Sequence, residues 1–226
     1  MTNPLTVSFN NFFISLAANN NKVWFDENRK IYENEVKKPF EAFISQLIIA
    51  LKPHIKDLNL NAKDCIFRIN RDIRFSKDKT PYKLNRSAAI SANGKKDMSP
   101  TMVYIELGPE QVRLYRGIYM PEKAEIAKIR NHIANNLELF KTAYSSPNFK
   151  NTFGAIRGEK NVRIEKELLL AASIEPYILN KQWYFYTEMS EKMVYNSDLI
   201  PHLVNQFLAA TPVTNFLVEA LASDWQ

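Results

Sequence analysis

Apolar residues recur at helical spacing at both ends of the chain and at strand spacing in the middle. Phe9, Phe12, Phe13, Leu16 and Ala17 fall at i, i+3, i+4 intervals and predict a short amphipathic helix over 9–18, ended by Asn19, Asn20 and Asn21. From Val23 to Leu51 a second stripe (Trp24, Phe25, Ile31, Tyr32, Val36, Phe40, Phe43, Ile44, Leu47, Ile48, Leu51) predicts the longest helix, with Pro53 as its stop. Pro39 has no amide to donate, so this helix should kink or split near Lys38. Alternating β-branched and aromatic residues then predict strands at Ile66–Phe75, Ser87–Ala92, Met102–Leu107 and Val112–Tyr119, with turns at Asn93-Gly94-Lys95-Lys96 and Gly108-Pro109-Glu110.

Beyond Pro121, placed at a helix N1 position, Ala124 to Leu137 restores the helical stripe, and Glu138–Ala143 extends it after a break. Ser146-Pro147-Asn148 reads as a loop, 162–166 as a short strand, 166–173 as a short helix and Gln182–Met189 as an aromatic-rich strand. Ser197 and Asp198 are caps for a run from Leu199 to Leu208, and Thr211-Pro212 opens a separate run ending near Leu221. Short links between consecutive strands favour antiparallel pairing. With no repeat and no Gly/Ser linker, the expectation is a single α+β domain over 1–226: a mostly antiparallel central sheet flanked by helices, with a long N-terminal helix and C-terminal helices.

Composition removes several classes. At 226 residues with 46% hydrophobic and 24% charged residues, the chain is too apolar to be dominated by disorder. One Cys and 5 Gly exclude disulfide-stapled and collagen-like architectures. Cys65 begins an apolar run and reads as a small buried hydrophobe. The start, MTNPLTVSFNNFF, has no basic stretch followed by an apolar one, and no apolar run approaches membrane length, so a cytoplasmic protein without membrane partners is expected. GxxxxGK[ST], GxGxxG and GxSxG are all missing, and His54, His132 and His202 lie far apart, so no cofactor and no metal site are indicated.

Charge is concentrated. Residues 65–86, CIFRINRDIRFSKDKTPYKLNR, hold seven cations and two acids, +5 of the chain's net +6. On a strand, Phe67, Ile69, Ile73 and Phe75 share one face and Arg68, Asn70, Asp72 and Arg74 the other. Arg71 then falls on the apolar face, where it must find a carboxylate, reach past the sheet edge or face a ligand. Glu106 on a neighbouring strand is one candidate partner. Arg68, Arg71, Arg74, Lys79, Lys83 and Arg86 are the candidate ligand-binding residues, because guanidinium forks and ammonium groups suit phosphate or carboxylate. Asp72, Asp78 and Glu106 are the candidate charge partners.

The run RINRDIRFSKDKTPYK, with WFDENRKIYENEVKKPFEAF before it and GIYMPEKAEIAKIR after it, resembles domain-of-unknown-function family 2461, conserved hypothetical proteins of bacteria and fungi. The resemblance covers roughly residues 9–220, with Gly117, Pro121 and Arg130 on its later pattern. Between Gly154 and Tyr177 the chain departs from a basic, Pro-containing segment and reads NVRIEKELLLAASIEPY instead. The resemblance implies a single α+β domain and supplies positions without roles.

Three readings stay open. The first is a binding module for a small phosphate- or carboxylate-bearing ligand. The second is a structural charge network fastening the motif to the long helix through Asp26, Glu27, Glu33 or Glu35. The third is an enzyme on an anionic substrate with Asp72 or Asp78 as general base, weakened because arginine neighbours hold a carboxyl ionised and poorly basic. Tyr104, Tyr115, Tyr119, Trp183 and Tyr186 add a lesser alternative, nucleic acid stacked on aromatic rings. Oligomeric state is not legible.

Overall fold

The structure, a computed structural model, describes residues 2–222. Helices α1 (Val7–Ala18), α2 (Lys22–Glu27), α3 (Arg29–Ile31), α4 (Lys38–Leu51) and α5 (Ala62–Cys65) precede the strands β1 (Arg86–Ile90), β2 (Val103–Leu107) and β3 (Gln111–Ile118). Helices α6 (Lys123–Asn135), α7 (Leu137–Ser145), α8 (Pro147–Phe153) and α9 (Leu169–Ile174) follow, then β4 (Trp183–Ser190) and α10 (Leu199–Ala222). The strands form an antiparallel sheet in the order β1-β2-β3-β4, so the fold is α+β with a sheet flanked by helices.

The residues cluster into two compact units: the chain up to Asp97 with Tyr104–Leu114 and Glu188–Val204, and Met98–Val103 with Tyr115–Thr187 and the residues from Asn205 on. Neither is one continuous stretch, which is why no linker marks them in the sequence.

The first unit is built on aromatic packing. Phe9, Phe13, Phe40 and Phe43 are fully buried, with Phe9 5.3 Å from Phe13 and 6.2 Å from Phe40 between ring centroids. Each such ring contributes roughly 1.5–3 kcal/mol of burial. Pro39 acts as its missing amide requires, without a break in the backbone. Residues Tyr32–Lys37 form a π-helical segment in which the Lys38 amide reaches back five residues to Glu33, and Pro39 then stands in the first turn of α4. The break in the stripe lies earlier, at Asn28, whose side chain caps the carbonyl of Trp24.

In the second unit the buried core gathers Trp183, Phe185, Phe140 and Phe149, with Phe185 4.8 Å from both Phe149 and Phe153. Gly117 has φ +93°, and a Cβ there would lie 2.2 Å from the carbonyl oxygen of Trp183, so only glycine lets β3 and β4 approach at this point.

Four expectations are corrected. Pro121 is not N1 of α6: Glu122 is the cap, in a reciprocal box with Glu125. Ser146-Pro147-Asn148 is a helix start rather than a loop, since the Ser146 hydroxyl accepts from the Phe149 amide and Pro147 needs no donor at N1. Residues 162–165 form no strand, and a 3-10 turn at Lys166–Leu168 leads into α9. Pro212 does not divide the C-terminal helix. Hydroxyls of Thr211 and Thr214 donate to the carbonyls of Phe207 and Ala210, and the buried stripe Phe207, Ala210, Val213, Leu217 runs on past the proline.

Candidate functional site

The basic segment folds back on itself within the first unit. Ile66 bridges Ala88 and Asn70 bridges Tyr82, both antiparallel, and the amides of Phe67, Lys83 and Arg71 donate to Ser87, Ile69 and Pro81 at 3.0, 2.9 and 2.9 Å. Tyr82 anchors the returning arm: its ring stacks on Phe25 at 4.1 Å, and its amide and carbonyl are both held by the Asn20 side chain.

The expected strand Ile66–Phe75 is therefore absent beyond these isolated bridges. Local side chains capture the backbone groups that a ladder would use. The Asp72 carboxylate accepts from the Arg74 amide at 3.3 Å, Asp78 from the Thr80 amide at 2.9 Å, and the Lys79 ammonium donates to the Ile73 carbonyl at 2.8 Å. Strand alternation is lost with the ladder, so Ile73 is only half-buried and Phe75 is 95% exposed.

Inside this turn both arginines are paired with carboxylates, while Lys77 and Lys79 keep a net +2 over residues 71–80. Arg74 makes a two-pronged contact with Asp72, from Nε at 2.9 Å and from the guanidinium terminus at 2.6 Å. Arg71 donates to Asp78 and to the Thr80 hydroxyl. It thus finds its carboxylate seven residues away, whereas Glu106 accepts from the Tyr104 hydroxyl at 3.1 Å. Asp72 is held at about 2 by its side-chain and backbone hydrogen bonds from Arg74, and Asp78 at about 2 by the Thr80 amide and Arg71. The acids proposed on the long helix serve their own surface: Asp26 pairs with Lys22 and Arg29, and Glu33 with Lys37. Glu27 and Glu35 have no ion pair with the motif among the described residues.

At the base of the hairpin the position is different. Arg68 is exposed and lies between the Phe67–Ser87 and Ile69–Lys83 hydrogen bonds, across from residues 84–86. Lys83 is half-buried with its ammonium 5.6 Å from the Phe67 ring centroid, and Arg86, 5% exposed, has its guanidinium 5.5 Å from that of Phe40. None of the three has an ion pair or a side-chain hydrogen bond among the described residues, and the buried Arg86 Nε has no partner. Burial, then the charges of Arg86 and Arg68, push the Lys83 ammonium below its usual value of 10.5 against a smaller opposing pull from Glu106. Burial likewise lowers Arg86, opposed by Tyr32 and Glu41.

Two cavities among the described residues of this unit are poorly suited to an anion. One of about 620 Å³ beside α4 is lined by Glu41 and Asp64 against the single cation Lys63. Another of about 70 Å³, beside Leu84, Asn85, Glu106 and the β2–β3 turn, has room for no more than two or three waters. Cys65 is fully buried, and burial pushes its thiol up to about 11, so it remains protonated. No group of three or more His, Cys, Asp or Glu among the described residues could hold a metal ion.

Three further buried polar groups belong to the second unit. Arg116, 3% exposed, stacks 3.9 Å from the Phe207 ring centroid and donates to the Phe207 carbonyl and the Thr214 hydroxyl, with burial pushing it down to about 9. Arg130 donates to the carbonyls of Leu179 and Asn180, with Glu165 3.7 Å away. Glu175, 4% exposed, accepts from the Tyr144 hydroxyl at 2.7 Å and the Tyr177 amide at 3.1 Å, which makes it a cap. Their sequence signals existed: Arg116 shares a strand face with Val112, Leu114 and Ile118, and Arg130 shares a helix face with Ile126 and Ile133.

The family model for a conserved hypothetical protein, DUF2461, matches residues 8–216, including the whole motif. The chain belongs to the DUF2461 family. No curated protein matches it. For this DUF2461 chain the partition of the motif into a tip with paired arginines and a base whose partly buried cations have no ion pair among the described residues must come from its own geometry. No helix among the described residues is long and apolar enough to cross a membrane.

Proposed function

We propose that this DUF2461 protein binds a small phosphate- or carboxylate-bearing ligand at Arg68, Lys83 and Arg86, in the cytoplasm where its lone buried thiol stays reduced. Arg71, Arg74 and Lys79 shape the turn beside the site. The observation that carries the reading is that, among the described residues, no carboxylate lies within ion-pair distance of two cations that are withdrawn from water, Lys83 half-buried and Arg86 nearly fully. A buried unpaired cation destabilises a fold, and an anionic ligand would offset that cost. Water has access at Arg68, so an anion can approach from that side. The structural-network reading is supported for the tip, where Arg71, Asp78 and Thr80 close the turn. The enzymatic reading has the least support, because both candidate bases are already engaged by guanidinium groups and held at about 2.

Calorimetric titration with inorganic phosphate, pyrophosphate, citrate and adenosine monophosphate at fixed ionic strength tests this. Saturable heat with at least one anion, lost in Lys83→Met and kept in Arg74→Ala, is the expected result. No saturable heat with any of the four, or equal binding by Lys83→Met, would overturn it.

A further inference from the structure

A second surface, in the other unit, has a different chemistry. Four tyrosines pair across β3 and β4: the rings of Tyr115 and Tyr186 lie 5.1 Å apart at 36°, and those of Tyr119 and Tyr184 5.1 Å apart at 83°. Gly117 sits between the pairs and lets the two strands close up there. Strand alternation sends Trp183 and Phe185 into the core at 0% exposure, while Tyr184 and Tyr186 stay half-buried and Tyr119 is 55% exposed. Tyr119 is thus largely open to solvent, and Tyr184 and Tyr186 are partly so.

Arg157 completes the arrangement. Its backbone pairs with Tyr184 through a 2.7 Å hydrogen bond, and its exposed guanidinium lies 4.2 Å from the centroid of the Tyr186 ring. No carboxylate pairs with it among the described residues. Along the pairing stretches 157–160 and 180–186, Arg157, Lys160 and Lys181 face one acid, Glu159, which Lys181 holds at 3.2 Å. Neutral sugars and proline-rich peptides use aromatic faces and gain only neutral-acceptor hydrogen bonds from a guanidinium. A polyanion that carries flat rings uses both.

We infer that the Tyr115, Tyr119, Tyr184, Tyr186 and Arg157 surface binds single-stranded nucleic acid, with unstacked bases on the tyrosines and phosphodiester groups at Arg157. Readout is by stacking, so the surface takes many sequences, and its affinity falls with salt as the cationic contacts are screened. This surface is independent of Arg68, Lys83 and Arg86, and either site can fail alone.

Fluorescence anisotropy with a labelled ten-nucleotide deoxythymidine oligomer, its abasic counterpart and a labelled proline-rich peptide tests the inference. The oligomer should bind saturably and about tenfold or more tighter than the abasic strand, in keeping with aromatic stacking on bases. Tyr186→Ala and Tyr119→Ala should each weaken binding by about tenfold, Tyr186→Phe should restore it because the ring remains, and Lys52→Ala, at an exposed cation outside both sites, should leave it unchanged. Equal affinity for the abasic strand, no loss in the exposed-site variant Tyr119→Ala, or preferential binding of the peptide would overturn it.

Discussion

The tip and the base of one hairpin treat the same residue types in opposite ways. In the tip, Arg74 reaches back two residues to Asp72 and Arg71 forward seven to Asp78, all in positions open to solvent on at least one side. At the base, Arg86 is 5% exposed and Lys83 half-buried, yet neither has a carboxylate within ion-pair distance among the described residues. Water would screen the tip charges even without partners, whereas the base charges have lost much of that screening and received only ring contacts and longer-range carboxylates in exchange. Charge density along the sequence is therefore a poor guide to a ligand site. The informative quantity is charge that is withdrawn from solvent and left unmatched.

The largest separation between the regions is expected from Arg86→Met, which keeps most of the volume stacked on Phe40 and removes the buried charge. Anion affinity should fall by more than about tenfold, as for a lost charge-assisted hydrogen bond, while stability holds or rises by about 1–2 kcal/mol. Denaturant unfolding beside calorimetry reads both. A clear loss of stability would make Arg86 a structural residue and break the contrast. Arg68→Ala, at an exposed position, should weaken the anion by about threefold to tenfold with no change in melting.

The smallest effects belong to the tip. Arg74→Ala should leave both anion affinity and melting temperature close to wild type, because an exposed ion pair contributes little. Asp72 and Asp78 titrate near 2 in the fold, below the ordinary 3.8. Their contribution to the turn is fully present above the unfolded value and is lost as pH falls toward 2. Carboxyl resonances followed from pH 5 to pH 1.5 should show both transitions displaced downward, and ordinary midpoints would mean that the turn does not hold them.

Much of the architecture was legible because it rests on burial periodicity. Val103, Ile105 and Leu107 alternate inward on β2 and give its location directly, and Trp183 and Phe185 do the same for β4. The errors cluster where a short-range hydrogen bond competes with the pattern. Asp72 captures the Arg74 amide that a strand at 66–75 would have paired, and Ser146 turns an apparent loop into a helix cap; at Pro212 it is the buried stripe Phe207, Ala210, Val213 and Leu217 that continues through the proline. The candidate site was legible as a segment and not as a site. Sequence places seven cations within nineteen residues, but which of them meets Asp72 or Asp78 depends on turn geometry, and that Arg86 and Lys83 meet neither depends on how the segment folds back.

Titration of the Lys83 side chain, followed through its Cε and Nζ resonances with and without pyrophosphate, bears most directly on the unmatched base. In the free protein, burial and the neighbouring cations disfavour its protonated form, so it should lose its proton below 10.5, and the destabilising charge should disappear as pH rises through that point. A bound anion favours the protonated form. The account predicts that saturating pyrophosphate moves the Lys83 midpoint upward and that affinity declines as pH passes the free protein's midpoint. A Lys83 midpoint that is ordinary in the free protein and unmoved by pyrophosphate would contradict it.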